Sequence, residues 1–172
     1  MTYDWALLIL RLLIGLVVAA HGAQKLFGWA GGSGLQGFGG WLATMGLLPP
    51  LFWALLGALG EFGGGVLLAL GLLNPLGALG VAGAMAMAMA LVHWKNGFWT
   101  TKGGYEFPFV LLVTSATLGA VGPGRYALDT VLGLSLPAWL FWVGLVGVIL
   151  ITGYSLSLAD RQSAVANKPP HA

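Results

Sequence analysis

The sequence predicts an all-α fold, a transmembrane helical bundle with a four-helix core and a fifth, C-terminal transmembrane helix. Three observations carry this. Of 172 residues, 58% are hydrophobic and 7% charged, against roughly 25% charged in a soluble domain. Seven basic and five acidic side chains cannot cover the surface of a 17.8 kDa globule, so most of that surface meets something other than water, and a lipid bilayer is the simplest partner. The apolar residues also fall into runs of the length that crosses about 30 Å of hydrocarbon, with a mean hydropathy of +0.90.

The first span is expected over residues 5–25. Its acidic start, with Asp4 where a basic flank would stand, and Arg11 within the apolar run do not fit a cleaved leader, so the helix is read as retained. Residues 26–50 carry eight glycines and end in Pro49-Pro50. That density disfavours a spanning helix, while Trp29, Phe38 and Trp41 suit the headgroup zone; a loop with a short interfacial or re-entrant piece follows. Pro50 suits the opening of a second span, 51–73. Asn74-Pro75 turns the chain into a third, 76–93. A fourth, 105–121, stops at Gly122-Pro123-Gly124. Residues 125–136 make a mixed connection with a short surface helix, and the fifth span covers 137–158. Residues 1–158 form one domain, because the helices must share a bundle to bury their polar positions. Residues 159–172 are expected to be a polar, disordered tail.

Several classes fall away. No basic stripe tracks a phosphate backbone, so no nucleic-acid partner is expected. The absence of cysteine removes thiolate metal sites, disulfides and covalent haem attachment. His93 has no second histidine three or four residues on, so a two-histidine metal site on its helix is excluded and no metal is expected. His93 reads as an interfacial anchor beside Trp94, with ligand binding as the alternative. Met85, Met87 and Met89 do not share one helix face and read as packing residues. No nucleophile–base–acid triad is evident. With five spans, Lys25, Lys95, Lys102, Arg161 and Lys168 share one side and Arg125 takes the other. The positive-inside rule then places the C-terminus in the cytoplasm.

Ionisable side chains inside spans are costly and mark either buried pairs or function. At about 100° per residue, Arg11, Gly15, Val18, Gly22 and Lys25 share a narrow stripe that should face the bundle, with His21 farther round on the same side. Glu61 sits midway along the second span among glycines that permit close helix approach. An Arg11–Glu61 ion pair would satisfy both groups. It could serve packing alone, or form part of a polar pocket built from Arg11, His21, Lys25 and Glu61. Glu106 suits a helix N-terminus, with Lys102 or Lys95 as alternative partners. Arg125 and Asp129 are spaced to pair along a surface helix.

Arg11-Leu12-Leu13-Ile14-Gly15 with His21-Gly22-Ala23-Gln24-Lys25-Leu26, then Gly60-Glu61-Phe62-Gly63-Gly64-Gly65 through Gly71-Leu72, then Leu118 through Gly122-Pro123-Gly124-Arg125-Tyr126-Ala127-Leu128-Asp129, resemble in order and spacing the motifs of the DoxX family. The resemblance covers roughly residues 5–130. It implies a four-helix protein of the bacterial inner membrane, in a family named for a small membrane subunit of quinone-linked sulfur oxidation, with members linked to redox homeostasis. On that resemblance Arg11, Gly22, Lys25, Glu61, Gly122, Pro123, Gly124, Arg125 and Asp129 are motif positions; the fifth span departs from the pattern. Three functions compete. One is a redox component that binds quinone and works with a redox-protein partner or as a homo-oligomer. The others are a noncatalytic scaffold or assembly subunit and a small-solute transporter, the last disfavoured by the lack of an inverted repeat.

Overall fold

The computed structural model describes residues 2–166, which form seven α-helices and no strand. In order they are α1 (Thr2–Phe27), α2 (Gly34–Thr44), α3 (Pro50–Leu70), α4 (Asn74–Met87), α5 (Glu106–Val121), α6 (Leu128–Val131) and α7 (Trp139–Ala166). α4 continues directly into a π-helical turn, Ala88–His93, and a 3-10 turn, Trp94–Asn96. Four helices are long and apolar enough to cross a membrane: Thr2–Phe27, Pro50–Leu70, Asn74–Asn96 and Trp139–Gln162. α5 is apolar but has 16 residues, about 24 Å of helix. The chain is a multi-pass membrane protein whose outer surface meets lipid.

Lipid tails are as apolar as leucine, so helices in a bilayer associate through close packing rather than water exclusion. Here glycine provides it. Gly15 and Gly65 face each other across α1 and α3; a Cβ on Gly65 would lie 2.6 Å from the Gly15 carbonyl oxygen and the Ala19 nitrogen. One turn along, Gly22 rests on the backbone of Phe62. The two helices are therefore antiparallel. α3 and α4 form the expected hairpin, with Gly64 against Val81 and Gly77 against Leu68. α5 runs antiparallel to α4: Asn74 at the start of α4 meets Leu118 and Gly119 near the end of α5, and Trp94 stacks on Tyr105 at the opposite end. Leu68, Ala78, Val81, Met85, Leu111 and Leu118 belong to the core these helices share.

α7 runs parallel to α4 on the outside of the bundle, with Gly144 against Leu79 and Val148 against Gly83. Only 11% of its most apolar window is buried, against 39% in α1 and α3, and Val143, Val146, Ile149 and Leu150 face outward.

Three expectations change. The glycine-rich stretch holds a true helix, α2. Gly34, Gly37, Gly39 and Gly40 lie within it, while Gly28, Gly31 and Gly34 take the left-handed backbone conformation before and at its first residue. Eleven residues reach about 16 Å, too short to span. The expected tail is helical through Ala166: residues 159–166 contain no helix breaker, and Gln162 and Leu158 contact Gly46 between α2 and α3. Residues 167–172 lie outside the described region. Finally, α6 is a single four-residue turn, and its Asp129 is buried instead of lying on a surface helix.

Candidate ligand cavity

The small-residue face of α1 brings its C-terminal end against the first half of α3. Gly22 has no side chain to hold the helices apart at Phe62, and three residues on Lys25 reaches Glu61 and forms an ion pair with Oε1. Glu61 is 2% exposed. A carboxylate this deep in a low-dielectric bundle needs a counter-charge, and the ammonium supplies it. Lys25 Nζ also lies 4.9 Å from the centre of the Phe38 ring, where the π-face favours a cation. The second carboxylate oxygen, Oε2, has no hydrogen-bond partner within the protein.

This pair lines a cavity of about 550 Å³ enclosed by the end of α1, α2, α3 and the α4 extension. Phe38, Trp41 and Leu42 of α2 cover one side, Trp53 and Gly57 of α3 another, and Met87, Ala88, Leu91 and Val92 a third. Trp53 is fixed by a hydrogen bond from its indole nitrogen to the Leu48 carbonyl, 3.3 Å. Gln24 and His93 join Lys25 and Glu61 as polar members of the wall. The cavity is thus apolar and aromatic around a small polar cluster, the usual make-up of a small-molecule site.

The wall from α4 is the π-helical turn Ala88–His93. Such turns are rare and recur at functional sites, because one extra residue per turn re-aims the side chains that follow. Here His93 ends the turn beside the cavity. Its Nδ1 lies 2.7 Å from the Gly103 carbonyl. A carbonyl can only accept, so Nδ1 carries the hydrogen, and in the neutral ring Nε2 is the acceptor. The loop after α4 is itself fixed by Glu106, whose Oε2 accepts from the Thr100 backbone N–H at 3.0 Å; that satisfies the acid without Lys95 or Lys102.

Arg11 and Glu61 do not meet. Arg11 is 1% exposed, at the opposite end of α3, where it fills the space beside Gly71. Its Nη2 donates to the Tyr126 carbonyl at 3.1 Å, while Nε and Nη1 have no hydrogen-bond partner within the protein; Asp129 acts on it through space without forming an ion pair. Gly71 closes α3 in the left-handed conformation, φ 63°, and any side chain there would collide with the guanidinium. The helical stripe correctly gave the face of α1 that turns inward. It could not give the axial register: with Glu61 opposite Gly22 and Lys25, Arg11 stands some 11–14 residues away, roughly 16–21 Å along the helix.

Asp129 organises this second centre. Its two carboxylate oxygens accept the N–H groups of Leu73 and Asn74, each at 2.8 Å. They cap the N-terminus of α4, where backbone donors lack partners and negative charge is favoured. They also hold Leu73 at φ 47°, a conformation costly for a branched side chain. Both Asp129 oxygens are engaged at the start of α4 and no ion pair joins it to Arg125; the Arg125 backbone N–H donates to Asp4 Oδ1 at 3.3 Å. Gly122, Pro123 and Gly124 end α5 and carry the chain back to this point, with Gly122 and Gly124 at positive φ. His21 belongs to neither centre. It is exposed and meets Phe107 edge-on at 6.0 Å, its angular offset from Lys25 having turned it towards α5.

The proposed pocket therefore divides. Lys25 and Glu61 stay in it, Arg11 and His21 leave it, and Gln24, Phe38, Trp41, Trp53, Met87 and Leu91 enter. Phe38 and Trp41 were legible as interfacial aromatics, but only the fold of α2 across α3 turns them into a cavity wall. The three methionines separate as expected of packing residues: Met85 in the core, Met87 on the cavity, Met89 on a groove towards α5 and α7.

A family model described as DoxX matches residues 6–94, just over half of the chain. It covers the first two motifs and all of the cavity wall named here, while the Gly122–Asp129 motif lies beyond it. No curated protein and no solved structure matches the chain. With the paired α1–α3 motifs at the centre of the bundle and the family match running through them, the chain belongs to the DoxX family of membrane proteins.

Proposed function

We propose that the cavity holds the ring of a lipid-soluble quinone and that the protein is a quinone-interacting component of a redox system in the bacterial inner membrane. One observation carries this reading: a cavity of about 550 Å³ walled by aromatic and aliphatic side chains, with buried Glu61 paired to the partly exposed Lys25 at its polar end. Its size falls within the range of small-molecule sites. Lys25 and Gln24 would donate to ring oxygens while Phe38, Trp41 and Trp53 contact the ring faces. The quinone supplies the electron-carrying chemistry when bound, and a redox-protein partner would exchange electrons with it. Arg11 and Asp129 have a structural role in this reading.

The test is direct binding. Trp41 and Trp53 line the cavity, so duroquinone should quench tryptophan emission of the purified protein saturably. Ala88→Trp would fill the cavity from the π-helical turn without touching the Lys25–Glu61 pair, and should weaken binding by more than about tenfold. Unchanged affinity in that variant would remove the cavity as the site. No saturable quenching in the unaltered protein would leave a scaffold or assembly subunit as the better reading.

We also infer the orientation. Lys25, Lys95, Lys102 and Arg161 lie towards the cavity end of the bundle and Arg125 towards the other, so the positive-inside rule assigns the cavity end to the cytoplasm. The absence of cysteine makes this simple to check. A single cysteine at position 125 should react with an impermeant maleimide on spheroplasts, and one at position 102 only after permeabilisation; the reverse pattern would invert the protein.

A further inference from the structure

We propose that the groove between α5 and α7 binds one phospholipid of the surrounding membrane, an ethanolamine lipid with an acyl chain along the groove, and that this lipid completes the packing of α7. The proposal is independent of the quinone reading and concerns another face of α4. α5 and α7 both lean on α4. Gly119 lets Phe141 of α7, 3% exposed, sit against α5. Past that contact the two helices flank a groove of about 670 Å³ that runs along α7 from Phe141 to Leu156, about 22 Å. Alanine and glycine make the room: Ala86 and Ala90 come from α4 and its extension, Ala116 from α5 and Gly153 from α7. A Cβ on Gly153 would meet nothing within 4 Å. Val113 and Ile149, both exposed, edge the groove.

Water is a poor filling, because an apolar groove offers it too few polar partners. A helix from another protein is too wide. The volume spread over the length gives a mean cross-section of about 30 Å², whereas a helix with its side chains needs roughly 80–110 Å². A single hydrocarbon chain is the shape that remains. In the groove it would touch three helices, and such contacts are small singly but large together. They matter most for α7, whose most apolar window is only 11% buried by the protein itself. The groove also has a polar end. Ala120, Phe141 and Trp142 belong both to it and to a second hollow of about 290 Å³ that reaches Asn74, Asp129 and Ser135. Among the described residues no basic side chain lines that hollow, so an anionic headgroup would find no cation there. α5 ends beside it, and a helix C-terminus favours positive charge. An ethanolamine ammonium supplies that charge.

Native mass spectrometry of the full chain in mild detergent tests this, with palmitoyl-oleoyl phosphatidylethanolamine or phosphatidylglycerol added. The expected result is saturation at one retained lipid per chain, with the ethanolamine lipid at least about threefold tighter. Gly153→Trp fills the groove from a position with open space around it, and should weaken retention by more than about tenfold. Gly147→Trp is the matched control. It lies on the same helix, also in open space, but outside the groove, and should keep the lipid. The ethanolamine lipid should raise the unfolding midpoint of the unaltered chain and of Gly147→Trp, and leave that of Gly153→Trp unmoved. Should Gly153→Trp fold poorly, Ala116→Phe fills the groove from α5 and should have the same effect. Lipids that add one after another with no plateau at one would overturn the site, as would equal retention in the groove-filling variants and the unaltered chain. Phosphatidylglycerol bound as tightly as phosphatidylethanolamine would overturn the headgroup assignment. Retention of one lipid with no shift in midpoint would overturn its role in packing α7.

Discussion

Gly65→Leu should be among the most damaging single substitutions in the chain, lowering stability by about 3 kcal/mol. At this point α1 and α3 touch through backbone alone. A Cβ on Gly65 would sit 2.6 Å from the Gly15 oxygen and the Ala19 nitrogen, and neither can swing aside as a side chain would. The helices must separate, and the Lys25–Glu61 contact one turn along separates with them. The loss should appear as a lower midpoint of unfolding in detergent and as loss of quinone quenching in whatever folded protein remains. Gly63→Ala is the matched control: it lies on the same helix with no neighbouring atom within 4 Å of the added carbon, and should be neutral or stabilising, because alanine favours helix over glycine. Equal damage at the two positions would mean that glycine acts here through helix propensity and not through contact.

Asp129→Ala should cost about 3 kcal/mol, the loss of acceptors for two backbone N–H groups. The substitution strips the cap from Leu73 and Asn74 N–H groups and removes the acidic charge that acts on buried Arg11 from a distance. Arg11→Met should cost less, since Asp129 would keep both backbone donors at the start of α4. The order of the two effects is the informative part. In the double variant, the charge lost at one residue no longer strands the other, so the combined cost should fall short of the sum by at least about 1 kcal/mol. Full additivity would show that the two side chains stabilise this end independently. Both variants should leave ligand affinity nearly intact if they fold, because their centre is separated from the cavity by most of the length of α3.

The comparison of Arg11 with Lys25 explains what could be read before the fold was known. Both lie on one stripe of α1, and helical periodicity alone placed that stripe inward. Which of them meets Glu61 depends on how far α1 slides along α3, and periodicity is blind to sliding: every register keeps the same faces together. The glycines decide it. Gly15 against Gly65, and Gly22 against Phe62, permit one close approach, and that approach delivers Lys25 to Glu61. A similar limit applies to Asp129. Its spacing from Arg125 suggested a local pair, but a chain reversed by Gly122 and Gly124 carried the carboxylate to the first turn of α4, fifty-five residues away in sequence.

Composition and apolar run length by themselves determined that this is a multi-pass helical membrane protein, where most of its helices begin and end, and which face of α1 turns inward. These follow from local terms: the cost of exposing backbone to lipid, the length of a span, and the angle between successive residues. The tertiary structure alone decided that the buried charges form two centres, that α2 folds into a helix across α3, and that a π-helical turn brings His93 to a cavity. Those depend on contacts between residues distant in the chain, whose relative depth is set by steric fit and leaves no periodic trace in the sequence.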